Sequence, residues 1–302
     1  MSAPRLFCSD AARLRGDDPT ATTARTDVWF VVEFPGTWGR NPLRDAALPA
    51  PVRAALERAL AAVPLSRLLF IRRRTEPAPA GCRVYIARSS PQPSMTQFDL
   101  PSIDDVAGVP LIDAALHPSS LIPHPLVLVC THGQRDSCCG RRGYPLYDAL
   151  CRREELDVWQ CSHVGGDRFA ANAVVLPWGL YYGPVEPRDA VPLAAAILRN
   201  EIFLPSFRGR SSFPRAGQAA ETFVRRATGL AAADALRLTH RQSLDAGRTF
   251  VQLAENDGTR HDVTIEQFVA TESALLTCTA ANADAIPAYR LVEHRVVKAG
   301  EQ

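Results

Sequence analysis

Two stretches of the chain, residues 27–120 and 121–204, repeat one succession of apolar and polar segments. Each begins with a continuous apolar run, which is typical of a strand that is covered on both faces. A glycine-bearing loop follows, then a helix with one apolar face, a second strand and a hairpin. This succession predicts an α/β fold that is built twice. The predicted elements are strands 28–33, 67–72, 83–87 and 97–100 with helix 51–63, and strands 126–130, 156–161, 173–176 and 180–183 with helices 145–153 and 190–199.

Outside these two units the pattern changes. Residues 1–26 are polar and rich in Thr, Ala and Asp, which is typical of a partly ordered N-terminal arm. Residues 205–217 are rich in Pro, Gly, Ser and Arg, and they are interpreted as a crossing to a separate unit. Residues 218–302 predict a small α+β module whose sheet has one solvated face. Its predicted elements are helices 218–228 and 231–236 and strands 249–253, 262–268 and 289–297.

Charge and cysteine usage limit the class of protein. The 302 residues contain 34 Lys and Arg against 32 Asp and Glu, so the balance favours neither a nucleic acid nor a membrane surface as a partner. The sequence has no apolar run of about 18 residues and no apolar leader, which predicts a soluble, cytoplasmic protein. Five of the eight cysteines fall between residues 130 and 161, a distribution that indicates a site in a reducing compartment rather than a disulfide framework.

The first candidate site segment follows the predicted strand 126–130. It contains Cys130, Cys138 and Cys139 in a loop with glycines and arginines. Thiolates bind iron clusters and zinc, and positive charge favours the thiolate form. A glycine-bearing loop can also wrap closely around a cofactor. A metal or redox role is therefore favoured over simple packing.

The second candidate segment follows the predicted strand 156–161. It contains His163 and Asp167, with Gly165 and Gly166 between them. Because both segments follow apolar strands, their side chains are expected at the same end of neighbouring strands. Thiols, an imidazole and a carboxylate that converge in this way predict a metal site.

These residues resemble a known family. The runs are Cys130-Thr-His-Gly-x-Arg-Asp-x-x-Cys139, Ser162-His163-Val-Gly-Gly, Arg168-Phe169-Ala-x-Asn172 and the run from Val175 to Gly183. They resemble the sucrase/ferredoxin-like family of thioredoxin-like 2Fe-2S proteins, strongly over residues 29–204. The resemblance implies a tandem of two thioredoxin-like α/β units with a small C-terminal α+β module. It also implies a 2Fe-2S cluster.

The resemblance implies a mixed ligand set. In characterised relatives one iron is held by two cysteines with eight residues between them, and these positions match Cys130 and Cys139. The other iron is held by two histidines with three residues between them. The first histidine matches His163, whereas the second position is Asp167 in this chain.

The fourth ligand is therefore open. Asp167 either ligates, orients the His163 ring or pairs with Arg168. If it does not ligate, Cys161 is the nearest thiol that could. A third possibility is that the cluster has been lost and that Cys138 and Cys139 remain as a thiol site.

The function that these residues best support is one-electron transfer with a redox partner protein, so the chain is expected to be an electron carrier rather than a catalyst. Arg168 and His132 are expected beside the ligands, and Gly165 and Gly166 in the loop around the cofactor. The alternatives are a thiol oxidoreductase that uses Cys138 and Cys139 and a zinc-bound structural module. No carboxylate pair has a setting that indicates glycosidase chemistry.

The remaining residues of these types are interpreted as structural. Cys278 is expected to be a packing residue. His240, His261 and His294 have no ligand spacing and are expected at the surface. Helix 190–199 is expected to bury the face formed by Val191, Ala194, Ala195 and Leu198.

Overall fold

Thirteen strands form two sheets in a computed structural model that describes residues 6–74, 81–90, 92–117 and 124–300. The strands are β1 Val28–Glu33, β2 Ser66–Arg72, β3 Cys82–Arg88, β4 Ser94–Leu100, β5 Leu126–Cys130, β6 Asp157–Cys161, β7 Ala173–Leu176, β8 Leu180–Tyr182, β9 Phe207–Arg210, β10 Arg237–Ser243, β11 Arg248–Ala254, β12 Arg260–Ala274 and β13 Asp284–Val297. The helices are α1 Cys8–Arg15, α2 Pro42–Asp45, α3 Ala50–Ala62, α4 Leu111–Leu116, α5 Ser137–Cys151, α6 Ala190–Leu198 and α7 Arg215–Thr228. None of the helices in these described ranges combines the length and the apolar character that crossing a membrane requires.

The larger sheet repeats one topology. Its strand order is β4-β3-β1-β2-β6-β5-β7-β8-β9. In the first half, β1 and β2 are parallel with α3 between them in the chain, and β3 lies antiparallel on the other side of β1. In the second half, β5 and β6 are parallel with α5 between them, and β7 lies antiparallel on the other side of β5. Both halves thus have the thioredoxin-like arrangement, and the predicted fold class is confirmed.

The two halves join through β2 and β6. These strands pair antiparallel near their carboxyl ends, with Ile71 opposite Cys161 and Arg72 opposite Gln160. Loops that follow parallel strands lie at the carboxyl ends of those strands. The loops after β1 and β2 are therefore brought next to the loops after β5 and β6.

Successive side chains along the strands point to opposite faces of the larger sheet and so enter different cores. Val28, Phe30 and Val32 pack under α3 and α4, and Val127 and Val129 pack under α5 and α6. The opposite faces of both halves share one apolar cluster, as expected from the period of two along a strand. This shared core includes Trp29, Val31, Leu69, Ile71, Leu126, Leu128, Cys130, Cys139 and Cys161. The first half therefore packs against the candidate ligands of the second.

Two helix predictions were wrong in detail. Helix α5 begins at Ser137 rather than at residue 145, because Asp136 caps it by accepting the Cys138 N–H at 2.9 Å. Helix α6 buries Ala190, Leu193, Ala194 and Ile197, whereas Val191 is 60% and Leu198 46% exposed. The sequence of α6 is apolar almost throughout, so helical spacing alone could not select the buried face.

The C-terminal module consists of α7 and the sheet β10-β11-β12-β13. Residues 231–236, predicted as a helix, contain turns and one isolated bridge, and they lead into the unpredicted strand β10. Nearly every residue of β10 is exposed. Its sequence therefore does not alternate apolar and polar residues, and this pattern could not indicate a strand. His261 was predicted at the surface but is 1% exposed, with Nδ1 2.9 Å from His294 Nε2 and Nε2 2.9 Å from Glu255.

The predicted N-terminal arm and the predicted crossing are both built into the fold. The predicted arm, described from residue 6, includes helix α1, whose Cys8 is buried. The tract 205–217 includes β9, which pairs with β8 at the edge of the larger sheet. Both segments consequently pack against the second half.

Candidate metal centre

Cys130 and Cys139 come together because α5 packs tightly against the end of β5. Cys130 is the last residue of β5, and Cys139 lies in the first turn of α5. Gly143 faces the Cys130 carbonyl oxygen so closely that a Cβ at this position would overlap it. The missing side chain at Gly143 thus lets the helix hold Cys139 beside Cys130.

His163 and Asp167 are positioned by the turn after β6. Gly165 and Gly166 have φ values of +90° and +78°, a region that favours glycine. Gly166 then leads into a short 3-10 turn, Asp167–Phe169. This backbone path returns Asp167 toward the imidazole, with its Oδ1 3.2 Å from His163 Nδ1.

The two segments converge as predicted. One ligand atom from each of Cys130, Cys139 and His163 lies within 4.8 Å of the other two. Cys139 Sγ is 3.8 Å from His163 Nδ1 and 3.4 Å from Asp167 Oδ1. The two cysteines are buried, whereas the side chain of His163 is 19% exposed. The centre therefore has a buried sulfur side and a more accessible histidine side.

The electrostatics of the centre favour one thiolate. The pKa of Cys130 lies below its usual value, chiefly because the Cys139 side chain hydrogen-bonds to it. His163 and a hydrogen bond from the backbone of His132 act in the same direction. Burial raises the pKa of Asp167 to about 6, against the opposing effect of His163. A cation between these groups would compensate their negative charge.

Cys161 lies beside Cys130 and, like Asp167, outside the group of mutually close ligand atoms. It pairs in register with Cys130 on the neighbouring parallel strand, so both side chains point into the shared core. Burial raises the pKa of its thiol well above the usual value. Asp167 Oδ1, by contrast, contacts Cys139 Sγ at 3.4 Å and His163 Nδ1 at 3.2 Å, which makes Asp167 the candidate fourth group.

The predicted neighbours His132 and Arg168 have different contacts. His132 Nδ1 accepts the His163 backbone N–H at 3.1 Å, and its Nε2 donates to the Gly39 carbonyl at 2.6 Å. Burial lowers the pKa of His132, which favours the neutral ring that this pairing requires. Arg168 instead lies 3.4 Å from Asp17 and stacks on the Phe169 ring. His132 thus supports the His163 backbone, while Arg168 faces the N-terminal arm.

Arg208 is a further supporting residue that the sequence interpretation missed. Its guanidinium donates to the carbonyl oxygens of Gly165 and Thr22, each at 3.1 Å, and to Asn172 Oδ1 at 2.7 Å. Burial lowers its pKa to about 10. A Cβ on Gly166 would overlap this guanidinium. Arg208 therefore holds the glycine turn that carries His163 and Asp167, although its tract was interpreted as a linker.

The adjacent cysteines Cys138 and Cys139 contribute to different groups. Cys139 faces the centre, whereas Cys138 Sγ lies 3.5 Å from Cys8 Sγ and 3.2 Å from Cys278 Sγ. Cys278 was predicted to be a packing residue, and its contacts with two other thiols were not foreseen. This divergence does not favour a thiol oxidoreductase that uses Cys138 and Cys139 as its reactive pair.

A groove of about 680 Å³ opens beside His163 between the two halves of the sheet. Four arginines line it together with Glu57, Ser162 and His163. One of them, Arg67, donates to the His163 carbonyl oxygen at 2.7 Å. The accessible side of the centre thus faces a basic surface. The four arginines are Arg40, Arg44, Arg67 and Arg135.

Fold and site together define a thioredoxin-like α/β protein with a buried cysteine and histidine centre. A family model described as Sucrase/ferredoxin-like matches residues 19–209. The chain belongs to the sucrase/ferredoxin-like family.

Curated relatives cover a smaller part of the chain. It is 32% identical over 95 residues to "Altered inheritance of mitochondria protein 32" of Meyerozyma guilliermondii, which is 28% of this chain and 34% of the relative. The protein of the same name from Eremothecium gossypii is 32% identical over 103 residues, 29% of this chain and 33% of the relative. The chain thus spans about a third of the length of the curated relatives it matches.

Solved structures of a thioredoxin-like [2Fe-2S] ferredoxin from Aquifex aeolicus also show similarity. One is 17% identical, covers 31% of this chain and 97% of the ferredoxin, and has a TM-score of 0.28. A variant of the same ferredoxin is 18% identical, covers 28% and 96% of the two chains, and has a TM-score of 0.26.

Proposed function

We propose that the protein transfers single electrons through a 2Fe-2S cluster with mixed ligation. Cys130 and Cys139 would hold the buried iron, and His163 with Asp167 would hold the outer iron. The observation that carries this proposal is the convergence of the ligand atoms of Cys130, Cys139 and His163 to within 4.8 Å of one another. Two thiols and an imidazole suit an iron–sulfur cluster, and such a cluster supplies a one-electron redox couple.

The geometry around His163 gives the two ring nitrogens different roles. Nδ1 faces Cys139 and Asp167, so it is the nitrogen that would bind metal. Nε2 then remains available to carry a proton. Since the side chain is 19% exposed beside the groove, this proton can exchange with solvent and couple to electron uptake.

The basic groove favours a redox partner with an acidic surface. Its four arginines lie on the side of the centre where His163 is accessible. Complementary charge steers a protein partner and raises the rate of encounter. We therefore propose that a reductase or electron acceptor docks here, with its own redox group close to His163.

The partner proposal can be tested without knowing the partner. The Arg44→Glu, Arg135→Glu double variant should slow oxidation of the reduced protein by ferricyanide, an anion, and accelerate oxidation by hexaamminecobalt(III), a cation. The matched control is Arg188→Glu, an exposed residue away from the groove. Equal responses of the double variant and the control would contradict docking at the groove.

The cluster is tested on the full chain after reconstitution with iron and sulfide. Visible absorption, iron and sulfide content, and the electron paramagnetic resonance of the reduced protein should show one 2Fe-2S cluster. Cys130→Ser and Cys139→Ser should lose it, whereas the buried control Cys82→Ser should keep it. A wild-type protein that stays colourless and free of iron would refute the proposal, and zinc in the same site would identify the structural alternative.

The fourth ligand is tested by matched variants. Asp167→Ala should change the spectrum and shift the reduction potential, whereas Cys161→Ala should leave both close to wild type. Asp167→His should keep the cluster and raise its potential, because a neutral ligand replaces an anionic one. A changed spectrum and potential in Cys161→Ala, with both unchanged in Asp167→Ala, would assign Cys161 as the fourth ligand instead.

We further propose a reducing compartment such as the cytoplasm. None of the eight cysteines forms a disulfide within the described residues, and six of them are buried. Thiols persist where glutathione and thioredoxin keep them reduced. Fractionation of the native host, followed by immunodetection, would test this assignment.

A further inference from the structure

Three cysteines from distant parts of the chain meet beside the candidate centre without belonging to it. Cys8 lies in α1, Cys138 in the first turn of α5, and Cys278 in the loop between β12 and β13. Their Sγ atoms lie 3.5 Å (Cys8 and Cys138), 3.2 Å (Cys138 and Cys278) and 3.6 Å (Cys8 and Cys278) apart. The sulfurs therefore form a nearly equilateral triangle, which we call the thiol triangle.

Asp136 completes a set of four potential ligands. Its Oδ1 lies 3.9 Å from Cys8 Sγ and accepts the Cys138 N–H at 2.9 Å, while its Oδ2 accepts the Cys278 N–H at 2.7 Å. One ligand atom from each of these four residues lies within 4.8 Å of all the others. The backbone hydrogen bonds fix the carboxylate and leave lone pairs on its oxygens for a cation.

We propose that the thiol triangle and Asp136 bind one structural Zn²⁺ ion. With Zn–S bonds of about 2.3 Å at tetrahedral angles, ligand sulfurs lie about 3.8 Å apart, so the triangle needs only a small expansion. A disulfide would join two sulfurs at about 2.05 Å and exclude the third. Three similar separations with a fourth donor fit a single central ion better.

The surroundings compensate part of the negative charge of such a site. Cys138 lies at the N-terminus of α5, where the helix dipole favours a thiolate. Its sulfur also accepts the Ser9 N–H at 3.5 Å.

The proposed site explains how the ends of the chain are attached. Zinc would fasten α1 and the β12–β13 loop to the start of α5, the helix that carries Cys139. Asp136 and Cys138 would serve zinc while Cys139 faces the candidate cluster. The zinc site is thus chemically separate from the proposed electron-transfer function and can exist whether or not a cluster binds.

The experiment measures zinc and iron by elemental analysis in the full chain, purified without a metal-binding tag. Wild type should contain one zinc per chain. Cys8→Ser and Cys278→Ser should lose the zinc and keep the iron, whereas Cys130→Ser should lose the iron and keep the zinc. Cys151→Ser and Cys82→Ser are controls that should keep both metals.

Cobalt provides a second readout on folded protein. Co²⁺ added after removal of zinc should give thiolate-to-cobalt charge-transfer absorption in wild type and in Cys130→Ser, and this absorption should weaken in Cys8→Ser. Because Cys8 lies on a short peripheral helix, circular dichroism of its variant should match wild type. Zinc retained in Cys8→Ser and Cys278→Ser, or a disulfide among the three cysteines in the unreduced protein, would overturn the proposal.

Discussion

The two halves of the larger sheet share a topology but differ in the loop after their first strand. After β5 the chain presents Cys130 and, one loop later, Cys139. After β1 it presents Trp38, which is buried, stacks under Arg72 and meets the His132 ring edge-on. The same backbone arrangement therefore carries candidate ligands in one half and an apolar wall in the other.

Residues of the first half form hydrogen bonds with the segments of the second half that carry the candidate centre. Gly39 accepts a hydrogen bond from His132, and Arg67 donates to the His163 carbonyl. Ser162, next to His163, donates its backbone N–H to the Phe70 carbonyl at 2.8 Å and accepts the Phe70 N–H on its hydroxyl at 3.0 Å. The first half, whose described residues include none of the candidate ligands, thus shields and orients the candidate centre of the second half.

The largest expected effect concerns helix packing in the second half. In Gly143→Ala the new Cβ would overlap the Cys130 carbonyl oxygen, so α5 must move away from β5. We expect the free energy of unfolding to fall by about 3 kcal/mol, with weaker cluster binding. The control is Gly108→Ala in the first half, where a Cβ meets open space. Urea denaturation of both variants measures the difference, and equal stability would contradict close packing at Gly143.

The second prediction concerns pH and the metal-free protein. Burial raises the pKa of Asp167 from 3.8 to about 6 in the folded state. A raised folded pKa stabilises the protein fully below the unfolded value, and this contribution is lost as pH rises through about 6. The shift corresponds to about 3 kcal/mol.

Asp167→Asn should remove this dependence. Relative to the variant, metal-free wild type should lose about 3 kcal/mol of unfolding free energy between about pH 4 and pH 7 and change little above that range. Urea denaturation at several pH values measures it. Parallel pH profiles of the two proteins would show that Asp167 is not buried as described.

The third prediction concerns the turn that holds His163. Arg208→Met removes the donors for Gly165, Thr22 and Asn172, and leaves one buried and two part-buried acceptors without these bonds. We expect a loss of about 2 kcal/mol of stability and a shifted cluster spectrum. Arg188→Met, at an exposed position, is the control. Thermal unfolding and visible absorption would reveal the difference, and an unchanged spectrum in Arg208→Met would argue against a role in positioning the turn.

The sequence predicted the elements whose signals are local. The apolar runs of β1 and β5 are continuous, and the motif residues Cys130, Cys139 and His163 follow strand ends, so their convergence could be expected. The start of α5 was missed because its glycines and Pro145 suggested a loop, whereas the Asp136 cap initiates the helix.

Other features depend on contacts between distant residues. Cys8 and Cys278 are separated by 270 positions, and their meeting has no local signature. Arg208 lies in a polar, glycine-containing tract that resembles a linker, although it is buried in the fold. Such positions are set by tertiary packing, which overrides local propensity.

The smallest expected effect tests how the first half supports the centre. His132→Asn can keep an acceptor near the position of Nδ1, so the bond from the His163 N–H persists while the bond to Gly39 is lost. His132→Gln can keep a donor near the position of Nε2, with the opposite result. We expect each variant to lose about 1 kcal/mol of stability, the usual net value of one hydrogen bond. Only His132→Gln should shift the visible spectrum and reduction potential of the proposed cluster, because it alone releases the backbone of His163, a proposed ligand. If His132→Asn produced the same spectral shift, the contact between His132 and Gly39 would itself position the proposed ligands.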